Sequence, residues 1–277
     1  MIVYLNGRYI PKEEAMISPD DRGFLFADGV YEVIRSYGGN FFRLKDHLNR
    51  MERGLGELQI KVPDMKQFEN IAQRLIQDNN LNSTDANVYI QVTRGAAPRK
   101  HVFPDPEVPP TIYGFASSFE PRTLEQGNGI KVILTPEIRW ARCDIKSVAL
   151  PANVLANQRA KENNAAEAIF VREGVITEGS HTNFCAVFDG RLVTYPENNY
   201  ILPGITRKAV LELCRKLNIP YREFPVYEKD LKNADECMVL GTTAEVMPVV
   251  QVDDRIVGDG RPGPVTIRLQ KAFNELV

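Results

Sequence analysis

Apolar residues follow two different spacings along the chain, and these predict a mixture of strands and helices. Residues 3–5 and 8–10 are expected to form short strands around Asn6-Gly7, a pair typical of a tight hairpin turn because both residues tolerate positive φ. Residues 29–37 alternate between two faces, as the side chains of a strand do. The chain is therefore expected to begin with a hairpin and then a longer strand.

Spacings of three and four predict two helices in the first half. The apolar stripe of the first helix consists of Leu44, Leu48, Met51, Leu55 and Leu58. The second helix is expected to begin at Asp64, with Gln67 completing a variant of the capping box. β-rich segments at 87–95 and 112–115 follow, so the first half is predicted to be an α+β domain.

The second half is richer in predicted strands. These strands are expected at 131–134, 167–171, 183–188, 237–240, 249–252 and 255–257. Helices are expected at 153–162, after Thr206 as an N-cap, and at the end of the chain. A polar, turn-rich stretch separates the two halves. We therefore predict a small domain at 1–118, a linker at 119–129 and a larger domain at 130–277.

The composition of the chain indicates a globular protein and gives no sign of a nucleic-acid, membrane or metal partner. The apolar content of 43% and the charged content of 25% are typical of a globular protein, and a net charge of −2 favours neither nucleic acid nor an anionic membrane as a partner. Four separated cysteines and only three histidines do not predict a metal site. No signal peptide or apolar run of membrane-spanning length is recognisable, so we expect a cytoplasmic protein with reduced thiols.

Lys146 is the first candidate for chemistry. It follows the polar, turn-like residues 142–144 and precedes the apolar residues 148–151. An amine that is partly removed from water loses its proton more easily and becomes a nucleophile, the state that imine chemistry requires. Most of the chain's 34 lysines and arginines are expected to be solvated surface charges, so the case for Lys146 needs support from other residues.

Two segments could bind an anion. Gly204-Ile205-Thr206 opens a predicted helix, whose first amides and dipole favour a phosphate, and Gly241-Thr242-Thr243 offers a glycine turn with two hydroxyl groups. Each could equally be an ordinary cap or turn. Glu178, expected in a small-residue turn between two predicted strands, is either a solvated acid or a functional carboxylate.

Several motifs occur in a characteristic order. They are Asp28-Gly29-Val30-Tyr31-Glu32, His47-Leu48-x-Arg50, Asp144-Ile145-Lys146-Ser147, Thr177-Glu178-Gly179-Ser180 with Asn183, Leu202-Pro203-Gly204-Ile205-Thr206-Arg207 and Gly241-Thr242-Thr243-Ala244-Glu245. Over nearly the whole chain this set resembles the class IV aminotransferases, which are pyridoxal-phosphate enzymes of fold type IV. The resemblance implies a two-domain α+β fold, with a smaller N-terminal α/β domain and a larger C-terminal domain around a β-barrel-like core.

The resemblance also implies roles for these residues. Lys146 would form the internal aldimine with pyridoxal 5′-phosphate and move the proton between Cα and C4′, while Glu178 would face the pyridine nitrogen. Leu202 would pack against the ring. The implied phosphate ligands are Arg50, the Ile205 amide, Thr206 and Thr242.

The proline-rich loop from 96 to 110 bears on the choice of substrate. Its Arg99 and His101, with Tyr31, look like the α-carboxylate trap of D-amino acid aminotransferases. In that subgroup, the arginine and histidine reach in from the partner subunit, so the resemblance implies a homodimer with the active site near the interface. Val33 would line the pocket for the substrate side chain.

The resulting hypothesis is ping-pong transamination between D-amino acids such as D-alanine and 2-oxo acids such as 2-oxoglutarate. Three alternatives share the fold: a branched-chain L-amino acid aminotransferase, an (R)-amine transaminase and an aminodeoxychorismate lyase. A fourth, from another class, is a non-catalytic member that retains the fold as a binding module; the presence of both Lys146 and Glu178 argues against it.

Overall fold

The computed structural model describes residues 1–62 and 64–277. Contacts divide the chain into two units, the first consisting of Met1–Pro121 and Ile145–Ala149, and the second of Arg122–Asp144 and Leu150–Val277. In the described part of the chain, no helix has both the length and the apolar character needed to cross a membrane.

The first unit is one antiparallel sheet with two long helices. Its strands are β1 (Ile2–Leu5), β2 (Arg8–Pro11), β3 (Gly29–Tyr37), β4 (Asn40–Phe41), β5 (Ala86–Thr93) and β6 (Thr111–Ser118). Its helices are α1 (Arg22–Phe26), α2 (Leu44–Glu57) and α3 (Gln67–Asp78). The strand order is β2-β1-β6-β5-β3-β4, so β3 lies between the long strand β5 and the short edge strand β4.

The core of the first unit lies between one face of this sheet and the helices α2 and α3. Buried strand residues such as Ile34 and Ile90 pack with helix residues such as Met51 and Leu75. This arrangement confirms the predicted hairpin, the long strand at 29–37 and the helix built on the Leu44 stripe. Apolar burial of this kind contributes about 25 cal/mol per Å² and fixes which face of β3 points inward.

The second unit is built around a closed barrel. Its strands are β7 (Ile130–Pro136), β8 (Glu167–Arg172), β9 (Val175–Gly179), β10 (Asn183–Phe188), β11 (Arg191–Thr194), β12 (Tyr221–Glu223), β13 (Val226–Tyr227), β14 (Glu236–Gly241), β15 (Glu245–Val252) and β16 (Arg255–Ile256). Its helices are α4 (Thr123–Asn128), α5 (Pro151–Glu162), α6 (Ile205–Lys216) and α7 (Pro264–Asn274).

The ring of paired strands runs β10-β14-β15-β7-β8-β9 and returns to β10. The return is a single antiparallel pair, Glu178 with Asn183. Apolar side chains such as Phe184, Val239 and Met247 belong to the hydrophobic core of this unit. The expected α+β fold with a barrel-like core is therefore confirmed, and the barrel closes at the carboxylate that the sequence singled out.

The segment Ile145–Ala149 belongs to the first unit. The Tyr31 amide donates to the Lys146 carbonyl at 3.0 Å, and the Val148 amide donates to the Gly29 carbonyl at 3.1 Å. Val30 and Ser147 form an isolated antiparallel bridge between these two bonds. The segment therefore lies along the start of β3, and this pairing fixes the backbone on both sides of Lys146.

Three local predictions are corrected by the structure. Helix α3 begins at Gln67, not at Asp64, because the Asp64 side chain accepts the Lys66 amide at 2.8 Å and closes a local turn instead. Gly204, not Thr206, is the N-cap of α6. Glu178 lies in strand β9 and not in a turn, because β9 pairs with both β8 and β10.

Candidate active site

Lys146 is half-buried in the first unit. Its Nζ lies 4.4 Å from the centroid of the Tyr31 ring, whose face attracts a cation. Among the described residues, no carboxylate forms an ion pair with Lys146. The amine therefore lies beside the Tyr31 ring and has no carboxylate partner in the described part of the chain.

A buried ion cluster lies on the inward face of β3. Glu32 accepts Arg50 Nε at 2.7 Å and Arg50 Nη2 at 2.8 Å, and its Oε2 lies 2.8 Å from His47 Nδ1. Burial alone would raise the pKa of Glu32, but the Arg50 charge and the hydrogen bonds lower it to about 2. Burial also lowers the pKa of His47. Glu32 therefore fixes the orientation of Arg50, the phosphate ligand implied by the resemblance.

Glu178 is buried in the second unit and accepts three hydrogen bonds. Arg139 Nη1 donates to its Oε1 at 2.6 Å, while Asn183 Nδ2 and the Leu202 amide donate to its Oε2 at 3.0 and 2.9 Å. Burial raises the pKa of Glu178 to about 7, although Arg139 and the Leu202 amide oppose that shift. A carboxyl group with this pKa can hold or release a proton near neutral pH.

Arg139 extends this cluster to a second buried acid. Glu137 accepts Arg139 Nη2 at 2.6 Å and Arg139 Nε at 2.9 Å. The guanidinium group also lies over the Phe170 ring, 4.3 Å from its centroid. Arg139 is thus shared between two carboxylates, and its bonds to Glu137 orient the nitrogen that reaches Glu178.

The segment before α6 is connected to Glu178 through the Leu202 amide and through the Asn183 side chain. Asn183 Nδ2 donates both to Glu178 and to the Leu202 carbonyl, the latter at 2.9 Å. A Cβ built on Gly204 would collide with Asn183 Oδ1. Because no side-chain cap is found for α6 within the described residues, its first amides remain available to an anion.

Hydroxyl groups add to these amides. Thr206 is buried in the first turn of α6, and Thr242 lies in the turn that joins β14 to β15. β14 is a neighbour of β10 in the barrel, with Leu240 opposite Asn183. The two threonines therefore come from elements that both adjoin Asn183, although they are far apart in the sequence.

The proline-rich loop presents its predicted substrate residues at the surface. Arg99 and His101 are exposed, and both lie against the Phe26 ring, at 5.0 Å for the guanidinium carbon and 5.4 Å between ring centroids. Tyr31 and Val33 are half-buried on β3, on the face opposite the helices. Tyr31 stacks on Tyr89 with ring centroids 5.5 Å apart.

Sequence reasoning did not identify Glu32, Glu137 or Arg139 as candidates. Glu32 lies between Val30 and Ile34 on the inward face of β3, and an acid flanked by apolar residues on such a face is a signal of a buried ion pair. No comparable signal marks Arg139, whose partners are the residue that follows β7 and a residue of β9.

Comparison with known proteins agrees with this geometry. The family profile described as amino-transferase class IV matches residues 29–252. The D-alanine aminotransferase of Staphylococcus haemolyticus is 44% identical over 276 residues, which cover 99% of this chain and 97% of that relative.

Solved structures show the same fold. The branched-chain amino acid aminotransferase of Escherichia coli matches with a TM-score of 0.93 at 27% identity, covering 99% of this chain and 94% of that chain. The T.th. branched-chain amino acid aminotransferase, solved with pyridoxamine 5′-phosphate, matches with a TM-score of 0.90 at 27% identity, covering 99% and 93%. The chain therefore belongs to the class IV aminotransferase family.

Proposed function

We propose that this protein transfers amino groups between D-amino acids, such as D-alanine, and 2-oxo acids, such as 2-oxoglutarate, with pyridoxal 5′-phosphate as its cofactor. The observation that carries the proposal is the amine of Lys146 beside Tyr31, with Nζ 4.4 Å from the ring centroid. An amine next to a candidate carboxylate-binding residue is placed for chemistry at the Cα of an amino acid. The D-alanine aminotransferase relative at 44% identity supports the choice of enantiomer.

The donors of the second unit suit a phosphorylated pyridine ring. The amide of Ile205 and the hydroxyl groups of Thr206 and Thr242 would bind the phosphate, and the resemblance adds Arg50 to this set. The Glu178 carboxylate would hold a proton on the ring nitrogen. Bound pyridoxal phosphate supplies an aldehyde that reacts with amines and a ring that withdraws electrons from the neighbouring carbon.

Residues of this chain would then move the proton. Lys146 Nζ would take the proton from the substrate Cα and hold it until it is passed on. Leu202, whose amide is fixed on Glu178 at 2.9 Å, would pack against the ring and limit its movement. These roles need a ring that does not tilt, because proton transfer depends on short, aligned contacts.

Arg99, His101 and Tyr31 would bind the α-carboxylate of the substrate, and Val33 would line the pocket for its side chain. A guanidinium group and an imidazole ring are suited to a carboxylate. Holding the carboxylate on this side would present the Cα–H of a D-amino acid to Lys146.

We further propose that the enzyme is a cytoplasmic homodimer in which Arg99 and His101 act on the site of the partner subunit. Their exposure in the single chain supports a role outside their own subunit. The four cysteines are free thiols, the usual state in a reducing compartment.

The branched-chain L-aminotransferase alternative rests on solved structures at 27% identity, a weaker likeness than the 44% of the D-alanine aminotransferase. A coupled assay with D- and L-alanine, with 2-oxoglutarate as acceptor, separates the two. We expect turnover of the D-enantiomer, a visible absorption band from bound cofactor, and the loss of both in Lys146→Ala. Activity on L-alanine alone would reject the proposal.

A further inference from the structure

The loop that carries Arg99 and His101 is held through its backbone by one buried arginine. Arg22 Nη1 donates to the Lys100 carbonyl at 2.6 Å and to the Val102 carbonyl at 3.3 Å, one on each side of His101. Arg22 is only 4% exposed. A side chain that binds two carbonyl groups of an otherwise exposed loop restricts the conformations open to that loop.

Arg22 is itself held by a shared acid. Asp28 Oδ2 accepts Arg22 Nε at 2.9 Å and Arg94 Nε at 2.7 Å, and its Oδ1 accepts Arg94 Nη2 at 3.0 Å. Arg94 in turn lies over the Phe103 ring, 3.7 Å from its centroid. The carboxylate therefore orients two guanidinium groups, and both of them contact the loop.

Helix α1 begins at Arg22 and ends at Phe26, whose ring contacts side chains of the loop. Arg22 lies over the Phe26 ring at 4.8 Å, and Arg99 and His101 lie against that ring. Two backbone hydrogen bonds also join the start of the loop to the start of α1. The Arg22 amide donates to the Gly95 carbonyl at 2.9 Å, and the Ala97 amide donates to the Asp20 carbonyl at 3.2 Å.

We propose that Arg22, oriented by Asp28, is a positioning residue that preorganises Arg99 and His101 for the α-carboxylate of the substrate. This inference rests on the proposed function of that pair. A charged pair on a mobile loop would lose conformational entropy on each binding event, whereas a loop that is already fixed does not. Arg22 thus contributes to substrate affinity without touching the substrate.

The test compares Arg22→Ala, Arg22→Lys and Arg74→Ala in the cofactor-loaded enzyme with D-alanine. We expect Arg22→Ala to raise KM about 10-fold, because small displacements of a binding group are costly, while kcat and the affinity for pyridoxal phosphate stay within about twofold. Arg22→Lys, which keeps one cationic donor group, should lie between the wild type and Arg22→Ala. Arg74, an exposed arginine paired with Asp78, is the matched control and should leave KM unchanged.

The same substitution in a variant without the two binding residues distinguishes a positioning role of Arg22 from a general loss of structure. In Arg99→Ala/His101→Ala, the further change Arg22→Ala should produce no additional rise in KM, because the groups that it positions are gone. An equal rise in both backgrounds, or no rise in the wild-type background, would overturn the inference. If Arg99→Ala/His101→Ala itself leaves KM unchanged, the proposed carboxylate site fails together with the inference that rests on it.

Discussion

At the scale of single residues, the proton affinity of Glu178 is the property most relevant to the proposed chemistry. The carboxyl group is buried and bonded to Arg139, Asn183 and the Leu202 amide. Burial disfavours the charged form and the three donors favour it, and burial prevails, which raises the pKa. Glu178 can therefore change its protonation state when a cationic ring nitrogen is placed beside it.

Replacement of Glu178 by glutamine should change how the stability of the apoprotein depends on pH. The pKa of Glu178 is raised from 4.5 to about 7 on folding, so its stabilising contribution is present below pH 4.5 and is lost as the pH rises through 7. Glutamine does not titrate. The free energy of unfolding of Glu178→Gln, relative to that of the wild type, should therefore increase by about 2–3 kcal/mol between pH ~5 and pH ~8. Urea unfolding at these two pH values measures the difference. A difference that stays constant, or that shrinks at high pH, would show that Arg139 keeps the group ionised.

At the scale of secondary-structure elements, the start of α6 is held by its close contact with β10. Gly204 has ordinary backbone angles, φ −70° and ψ 132°, so glycine is needed here for space and not for conformation. The space is occupied by Asn183, which also bonds to Glu178. Asn183 thus contacts both the Glu178 carboxylate and the start of α6, where the phosphate would bind.

We expect Gly204→Ala to weaken cofactor binding at least about 10-fold and to destabilise the protein by about 1–3 kcal/mol, because the added methyl group displaces Asn183. Gly127→Ala in α4 is the matched control, since a Cβ there meets nothing within 4 Å and alanine favours a helix. Fluorescence titration with pyridoxal phosphate and thermal unfolding measure the two effects. Equal behaviour of the two variants would show that the contact with Asn183 does not matter.

At the scale of the whole molecule, the proposed site draws on residues from distant parts of the chain and, in the proposed homodimer, from two copies of it. In a symmetric dimer, each subunit would supply Lys146 to one site and Arg99 to the other. The exposure of Arg99 and His101 in the single chain fits this arrangement.

Mixing an impaired variant with an inactive one tests whether Arg99 acts in the partner subunit's site. Arg99→Ala should lower kcat/KM for D-alanine about 10- to 100-fold, and Lys146→Ala should be inactive. After joint refolding, the mixed dimer would contain one intact site, so the mixture should recover about one quarter of the wild-type activity. A mixture of Lys146→Ala with Glu178→Ala is the control and should recover none, because both residues serve the same site. No recovery in the first mixture would place Arg99 in its own subunit's site.

The sequence predicted much of the local structure because local structure depends on spacing and turn chemistry. The hairpin at Asn6-Gly7, the strand at 29–37 and the helix on the Leu44 stripe each follow from turn residues or a repeating pattern of apolar residues. The starts of α3 and α6 were misplaced, because the turn at Asp64 and the cap at Gly204 depend on contacts that spacing does not reveal.

The spacing of apolar residues and the order of the motifs by themselves determined the class of fold, the family resemblance and the candidate lysine. Each of these depends on short stretches of sequence, which can be recognised without the structure. Only the tertiary structure decided that β9 closes a barrel through Glu178 and Asn183, that Arg139 joins two buried acids, and that Arg22 holds the loop of Arg99 and His101. These contacts join residues that are distant in the chain. They depend on burial and on the pairing of charges, which arise only when the chain has folded.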